Sequence, residues 1–202
     1  MSQNIIINSL KFIFLLFIIA SCSTLVEDEN MNKNNVIYKI RSVDSNFSNL
    51  ETLLFVDIDT QSLLHIKKGT VLKQYSISSS YYGTGSKENS LKTPLGRHEI
   101  YKKIGNDLPS NAILKGRVWN GAIADIILEP IDTDFDHVTS RILWLDGLEV
   151  GKNKGKGIDS RNRYIYIHGT AEEGLIGKPA SDGCIRMYNK DVIELFDLVD
   201  EK

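Results

Sequence analysis

Two residues near the end of the chain carry its clearest chemical signal. His168 closes Tyr164-Ile165-Tyr166-Ile167-His168-Gly169-Thr170, and Cys184 follows sixteen positions later in Ser181-Asp182-Gly183-Cys184. A cysteine in such a place is core filler, half of a disulfide, a metal ligand or a nucleophile. A thiol with a pKa of about 8.5 is mostly protonated at neutral pH, and an imidazole that takes its proton makes it a nucleophilic thiolate. The imidazole needs an acceptor on its other nitrogen, or tautomer and orientation drift. No acid follows His168 at an obvious spacing, so a backbone carbonyl is the expected acceptor, with Gly169 the nearest candidate. Gly183 lets the backbone approach a substrate closely, and the amides of Gly183 and Cys184 are candidates to face an oxyanion. By residue types alone, buried filler and a catalytic dyad both remain open. Zinc has less support: no second cysteine lies nearby, and His65, His98 and His137 show no ligand spacing.

Positioning such a pair takes a strand and a loop. The segment Arg163 to Ile167 reads as a strand that ends at His168, and the loop Ala171 to Pro179 returns the chain to Ser181. Upstream, Thr52 to Ile58, Leu63 to Lys67 and Thr70 to Ser78 are apolar, β-rich runs separated by turn residues, an antiparallel meander. Further strands are expected at Arg97 to Ile104, Ala122 to Leu128 and Arg141 to Leu145. Downstream, Val192, Ile193, Leu195, Phe196 and Val199 form a helical stripe over Lys190 to Val199, with Asn189 as N-cap. The class is mainly β with a few short helices, in a single domain over 49–202.

The chain has 202 residues, 42% hydrophobic and 25% charged, with a net charge of -2. That balance suits one folded domain plus extensions and gives no basic footprint for nucleic acid. The N-terminus has the layout of a secretory signal: Lys11, then nine apolar residues from Phe12 to Ala20, then Ser21 and Cys22. The apolar run is too short to span the membrane as a helix, which takes about 20 residues. Residues 22–48 read as a polar tether. Gly151 to Arg163 carries five basic residues against one Asp and reads as a solvated loop. Asp132, Asp134 and Asp136 lack the Gly and distal Glu of a calcium loop and read as an ordinary acidic loop. Tyr82, in Tyr81-Tyr82-Gly83-Thr84-Gly85, is a candidate substrate contact.

Two resemblances sharpen these expectations. Ile19-Ala20-Ser21-Cys22 resembles a bacterial lipobox, which implies removal of residues 1–21 and lipidation of Cys22. Cys184 is then a lone thiol in an exported protein, a candidate reactive group. Ser23 after that cysteine implies sorting to the periplasmic face of an outer membrane. His168-Gly169-Thr170 followed by Ser181-Asp182-Gly183-Cys184-Ile185-Arg186-Met187 resembles the signature of the L,D-transpeptidase (YkuD-type) family. Lys92-Thr93-Pro94-Leu95-Gly96 resembles that family's Thr-Pro-x-Gly segment, and the likeness covers roughly residues 50 to 200.

The resemblance implies a YkuD-like β-sandwich in which Cys184 is the nucleophile, His168 the general base and Gly169 its orienting carbonyl. Ser181 and Gly183 would shape the site, and Arg186 would steady the motif or engage a substrate carboxylate. It implies peptidoglycan stem peptides as substrate, an envelope lipoprotein as a further acceptor, and no cofactor or metal. Many members have a histidine where this chain has Asp182, a carboxylate expected to raise the thiol pKa. Members also commonly continue past the helix into a final strand.

Overall fold

The computed structural model describes residues 37–41 and 50–201. Cys22 and the signal-like segment lie outside them. Two compact units divide the chain, Met1–Ser48 and Asn49–Lys202. In the first, 37–41 is helical. The second is mostly β, with the strands β1 (Thr52–Asp57), β2 (Ser62–Lys67), β3 (Thr70–Ser78), β4 (His98–Ile104), β5 (Ala112–Lys115), β6 (Val118–Ile123), β7 (Val138–Gly147), β8 (Tyr166–Thr170) and β9 (Ile185–Met187). A short 3-10 turn, Glu173–Leu175, and a helix, Asn189–Leu198, complete it.

The meander forms as its turns demand, with β1, β2 and β3 pairing antiparallel in sequence. The sheet then leaves sequence order and runs β1-β2-β3-β9-β8-β7-β5-β6, with β4 also on β7. Among the described strands only β8 and β9 pair parallel, joined by the loop that separates His168 from Cys184. Leu63, Tyr75, Ile77, Leu143, Ile167, Ile185 and Met187 meet the helix residues Val192, Leu195 and Phe196 in the main core. Burying side chains of this size is worth roughly 1.5–3 kcal/mol each, which fixes the register of every strand that contributes one.

Several boundaries differ from the sequence reading, for physical reasons. Of the segment Ala122 to Leu128 only Ala122 and Ile123 are strand, as the end of β6. After β6 ends, Ala124 N–H donates to the Asn111 carbonyl (2.8 Å) and Ile127 N–H to the Ala171 carbonyl (2.8 Å), single bonds to loops. An apolar run reads alike whether ladders or loops satisfy its backbone. The β5–β6 hairpin escaped notice because its turn is Gly116-Arg117, with φ of 57° and 70°. Such turns need left-handed residues, and arginine hides the signal that asparagine or a second glycine would give. The three-residue β9 carries too short a pattern to register.

The helix begins one residue early, and Asn189 does not cap it. Glu173 does: one of its carboxylate oxygens accepts from Asn189 N–H (2.7 Å) and from Asn189 Nδ2 (2.9 Å). The Asn189 side chain is instead a buried hub. Its Oδ1 accepts from the hydroxyls of Thr139 (2.6 Å) and Ser140 (2.5 Å), and its Nδ2 also donates to the Thr170 carbonyl (2.7 Å). The basic loop is not simply solvated either. Asn153 is fully buried and donates to the Leu95 and Arg97 carbonyls, while Lys154 pairs with Asp146 at 2.6 Å.

Candidate active site

Strand alternation builds the site. On β8 and β9, Ile167 stands opposite Ile185, and His168 opposite Arg186. Ile167, Ile185 and Met187 enter the main core, so Tyr166, His168, Cys184 and Arg186 take the other face. There Cys184, partly buried, joins Tyr166, Ile142 and Leu114 in a second apolar cluster.

The thiol is gripped by its backbone neighbours. Cys184 Sγ accepts from Tyr166 N–H at 3.3 Å, and its S–H donates to the Tyr164 carbonyl at 3.4 Å. Burial pushes the thiol up to about 12, and Asp136 adds to that rise. The Tyr166 N–H, Arg186 and Arg163 act in the opposite sense. The resting group is therefore a thiol, and it needs a base to become a nucleophile.

His168 is the candidate for that base. The ring is buried, 1% exposed, with Nδ1 at 2.7 Å from the Gly169 carbonyl. A carbonyl only accepts, so Nδ1 carries the hydrogen and Nε2 keeps its lone pair. Burial holds the imidazole below its usual pKa, opposed by Asp136 and by the Gly169 carbonyl. It is thus a neutral base at neutral pH. The thiol hydrogen-bonds to Tyr164 and Tyr166 and not to His168, a looseness common in catalytic pairs before substrate arrives. Gly169 must be glycine because a Cβ there would stand 2.5 Å from Asn189 Oδ1 and 2.8 Å from the Thr139 carbonyl.

The turn before Cys184 is tied from both ends. Ser181 is fully buried, and its hydroxyl donates to the Cys184 carbonyl (2.6 Å) and accepts from Gly183 N–H (3.3 Å). The Gly183 amide is therefore turned into its own loop, and of the two candidates for an oxyanion only the Cys184 amide keeps that assignment. Gly183 sits at φ 117°, a left-handed conformation that suits glycine. Its carbonyl accepts from Thr93 Oγ1 (3.1 Å), which also accepts from Ser80 N–H (3.0 Å). The Thr-Pro segment is thus the strut that holds the cysteine turn against the loop 79–93. Tyr82 lies on that loop, half exposed and edge-on to Tyr81. Tyr81 N–H in turn donates to the Ser181 carbonyl at 3.0 Å.

Arg186 is 2% exposed and holds carboxylates of the chain itself. Its guanidinium meets Glu172 at 2.8 Å and Asp136 at 2.9 Å. Glu172, wholly buried, also accepts from Thr133 N–H (2.7 Å) and the Thr133 hydroxyl (2.5 Å). The loop read as ordinary and acidic is therefore pinned beside the His168–Cys184 pair, and Asp136 exerts on the thiol the effect expected of Asp182. Asp182 itself is exposed, its carboxyl raised by partial burial and then by Asp136. Beyond Asp136 a groove of about 530 Å³ runs between the β5–β6 hairpin and 135–138, lined by Ile113, Leu114, Asn120, Phe135 and Val138. The sequence reading gave Asp136 and Asn189 other roles, as loop and helix cap, and missed Glu172 and the aromatic pair Trp144 and Tyr164. Only the repeated Tyr164-x-Tyr166 alternation hinted at any of them.

A thiol and a neutral, oriented imidazole thus share one strand face. The family model for the L,D-transpeptidase catalytic domain (YkuD) matches residues 51–202, and the chain belongs to that family. Among curated proteins it is similar to YkuD of Bacillus subtilis (strain 168), 64% identical over 37 residues, which are 18% of this chain and 23% of that protein. It is also similar to YqjB of the same organism, 51% identical over 45 residues, 22% of this chain and 24% of that protein. The matched stretches thus span under a quarter of those relatives' length. A solved L,D-transpeptidase from Mycobacterium smegmatis aligns at 17% identity and TM-score 0.45, over 75% of this chain and 55% of that one. One from Enterococcus faecium aligns at 20% and 0.44, over 75% and 47%.

Proposed function

We propose that the protein is a peptidoglycan L,D-transpeptidase that works through a Cys184 thioester. The observation that carries this reading is that the gripped thiol shares a strand face with His168, whose Nδ1–H is fixed on the Gly169 carbonyl at 2.7 Å. His168 Nε2 takes the thiol proton as Cys184 Sγ attacks the carbonyl between the third stem residue and the terminal D-Ala. The C–N bond breaks, the imidazolium protonates the departing amine, and the stem remains as a thioester. An amine of a second stem then attacks, loses its proton to His168, and forms a 3-3 cross-link as the C–S bond breaks. A lysine of an envelope lipoprotein is an acceptor of the same chemistry. Membrane attachment through a lipid on Cys22, facing the periplasm from the outer membrane, belongs to the same reading and is supported by Ile19-Ala20-Ser21-Cys22.

The test incubates the full chain in detergent, beside a Cys184→Ala control, with purified disaccharide-tetrapeptide. Mass spectrometry is expected to find dimers that have lost one D-Ala, absent in the control. Tripeptide monomers alone would make the protein a hydrolase with water as acceptor, and unchanged substrate would overturn the reading. The intact mass of membrane-extracted protein checks the lipid on Cys22 in the same run.

A further inference from the structure

Of the arginines near the residues that hold Cys184, Arg186 and Arg163 are committed to partners within the chain. Arg186 is neutralised by Glu172 and Asp136. Arg163 gives Nη1 and Nη2 to the carbonyls of Gly85 (3.2 Å) and Lys92 (2.7 Å) and so holds the loop 79–93. Arg117 differs. Among the described residues it forms no ion pair, and its hydrogen bond runs from Nη1 to the Tyr166 hydroxyl at 3.1 Å. Its guanidinium carbon lies 4.8 Å from the Trp144 ring and 4.8 Å from the Tyr164 ring. Those rings and Tyr166 pack on one another at 5.6 and 5.8 Å between centroids. The backbones of Tyr164 and Tyr166 are the two partners of Cys184 Sγ.

A guanidinium laid on aromatic faces keeps its N–H edge outward, and that edge matches a carboxylate with two parallel bonds. The bond to Tyr166 fixes which way the edge points. Arg117 also occupies φ 70°, a conformation that asparagine or glycine would take more easily, in a hairpin turn bent back over the aromatic wall. A cation is thus stacked on the aromatic residues whose backbones hold the Cys184 thiol, with no carboxylate of the described chain to neutralise it.

We infer that Arg117 is a specificity-determining residue that holds a carboxylate of the peptide acylating Cys184. The inference rests on the transpeptidase reading, in which that peptide is a stem whose terminal D-Ala carries a carboxylate. Arg117 touches substrate away from the scissile bond, so its loss weakens binding far more than turnover.

The full chain in detergent is compared with Arg117→Gln and Arg117→Lys, on tetrapeptide stem with free carboxylates and on the fully amidated peptide. Acylation of Cys184 is followed by mass spectrometry, and binding of both peptides to the Cys184→Ala form, with and without Arg117→Gln, by calorimetry. Near-UV circular dichroism establishes that each variant is folded. The wild type is expected to favour the acid by about tenfold in KM, the size of one charge-assisted bond. Arg117→Gln brings the two peptides level with kcat within about threefold, and Arg117→Lys keeps part of the preference. Equal loss on both peptides, or a fall in kcat alone, overturns the inference and leaves Arg117 a latch for its hairpin. Absence of acylation with Arg117-dependent binding of the acid sinks the transpeptidase reading and supports the carboxylate site. No binding preference for the acid sinks the site itself.

Discussion

At the scale of the residue, Cys184 is held as a thiol, and that has a pH signature. Its pKa is raised to about 12 in the fold, first by burial. As pH climbs past about 9 the unfolded chain releases this proton while the folded one retains it. Folding stability therefore falls with rising pH, by up to about 1.4 kcal/mol per pH unit once the unfolded thiol is fully ionised. Tyr75, also raised to about 12, adds its own loss only above its ordinary 10. Urea midpoints at pH 8 and pH 10 should fall further for the wild type than for Cys184→Ala. A difference that does not change between the two proteins would mean that the thiol is solvated.

At the scale of the element, the cysteine turn depends on a strut outside its own sequence. Thr93 Oγ1 joins the Gly183 carbonyl to Ser80 N–H. Thr93→Val keeps the shape and removes both bonds, leaving two buried backbone groups unmet, at a cost of about 2 kcal/mol. Chemical denaturation should read that loss, and acylation of Cys184 should slow because the turn is no longer braced. Normal acylation in a destabilised Thr93→Val would show that the strut serves stability alone. The strand pattern around this turn was legible in advance: Thr70–Ser78 was expected and found with the same bounds. Its partner β9 was not, because three residues between a turn and a helix have no period to read.

At the scale of the whole molecule, two ion pairs sharing Arg186 tie three segments together. Arg186 from β9, Glu172 after β8 and Asp136 before β7 meet, with Glu172 0% exposed. Removing one partner strands the other charge, which typically costs about 3–5 kcal/mol. Glu172→Ala should lower the thermal midpoint sharply and free the loop around Thr133, whereas Glu172→Met with Arg186→Met should recover much of the loss. Equal damage in both would locate the cost in packing. Three histidines, two buried and one partly buried, give a second global effect. His65, His98 and His168 all have lowered pKa values, with burial the largest cause. The unfolded chain takes up protons first as pH falls through about 6.5, so stability is lost from there downward. Denaturant midpoints at pH 7.5 and pH 5.5 check the sign.

The sequence by itself determined what is local. The His168-Gly169 and Ser181-to-Cys184 segments, the alternation that sets Tyr166 and His168 on one face, and the apolar helix stripe all follow from periods and residue types. Only the tertiary structure decided what surrounds them. Asp136, Glu172, Asn189 and Arg117 act through partners 14 to 50 positions away. No period or local motif encodes such meetings; they exist because the sheet leaves sequence order after β3 and lays β7, β8 and β9 side by side. Asn189 shows the limit most plainly. Its type predicted a helix cap, but burial between β7 and β8 gave it four polar partners and left the capping to Glu173.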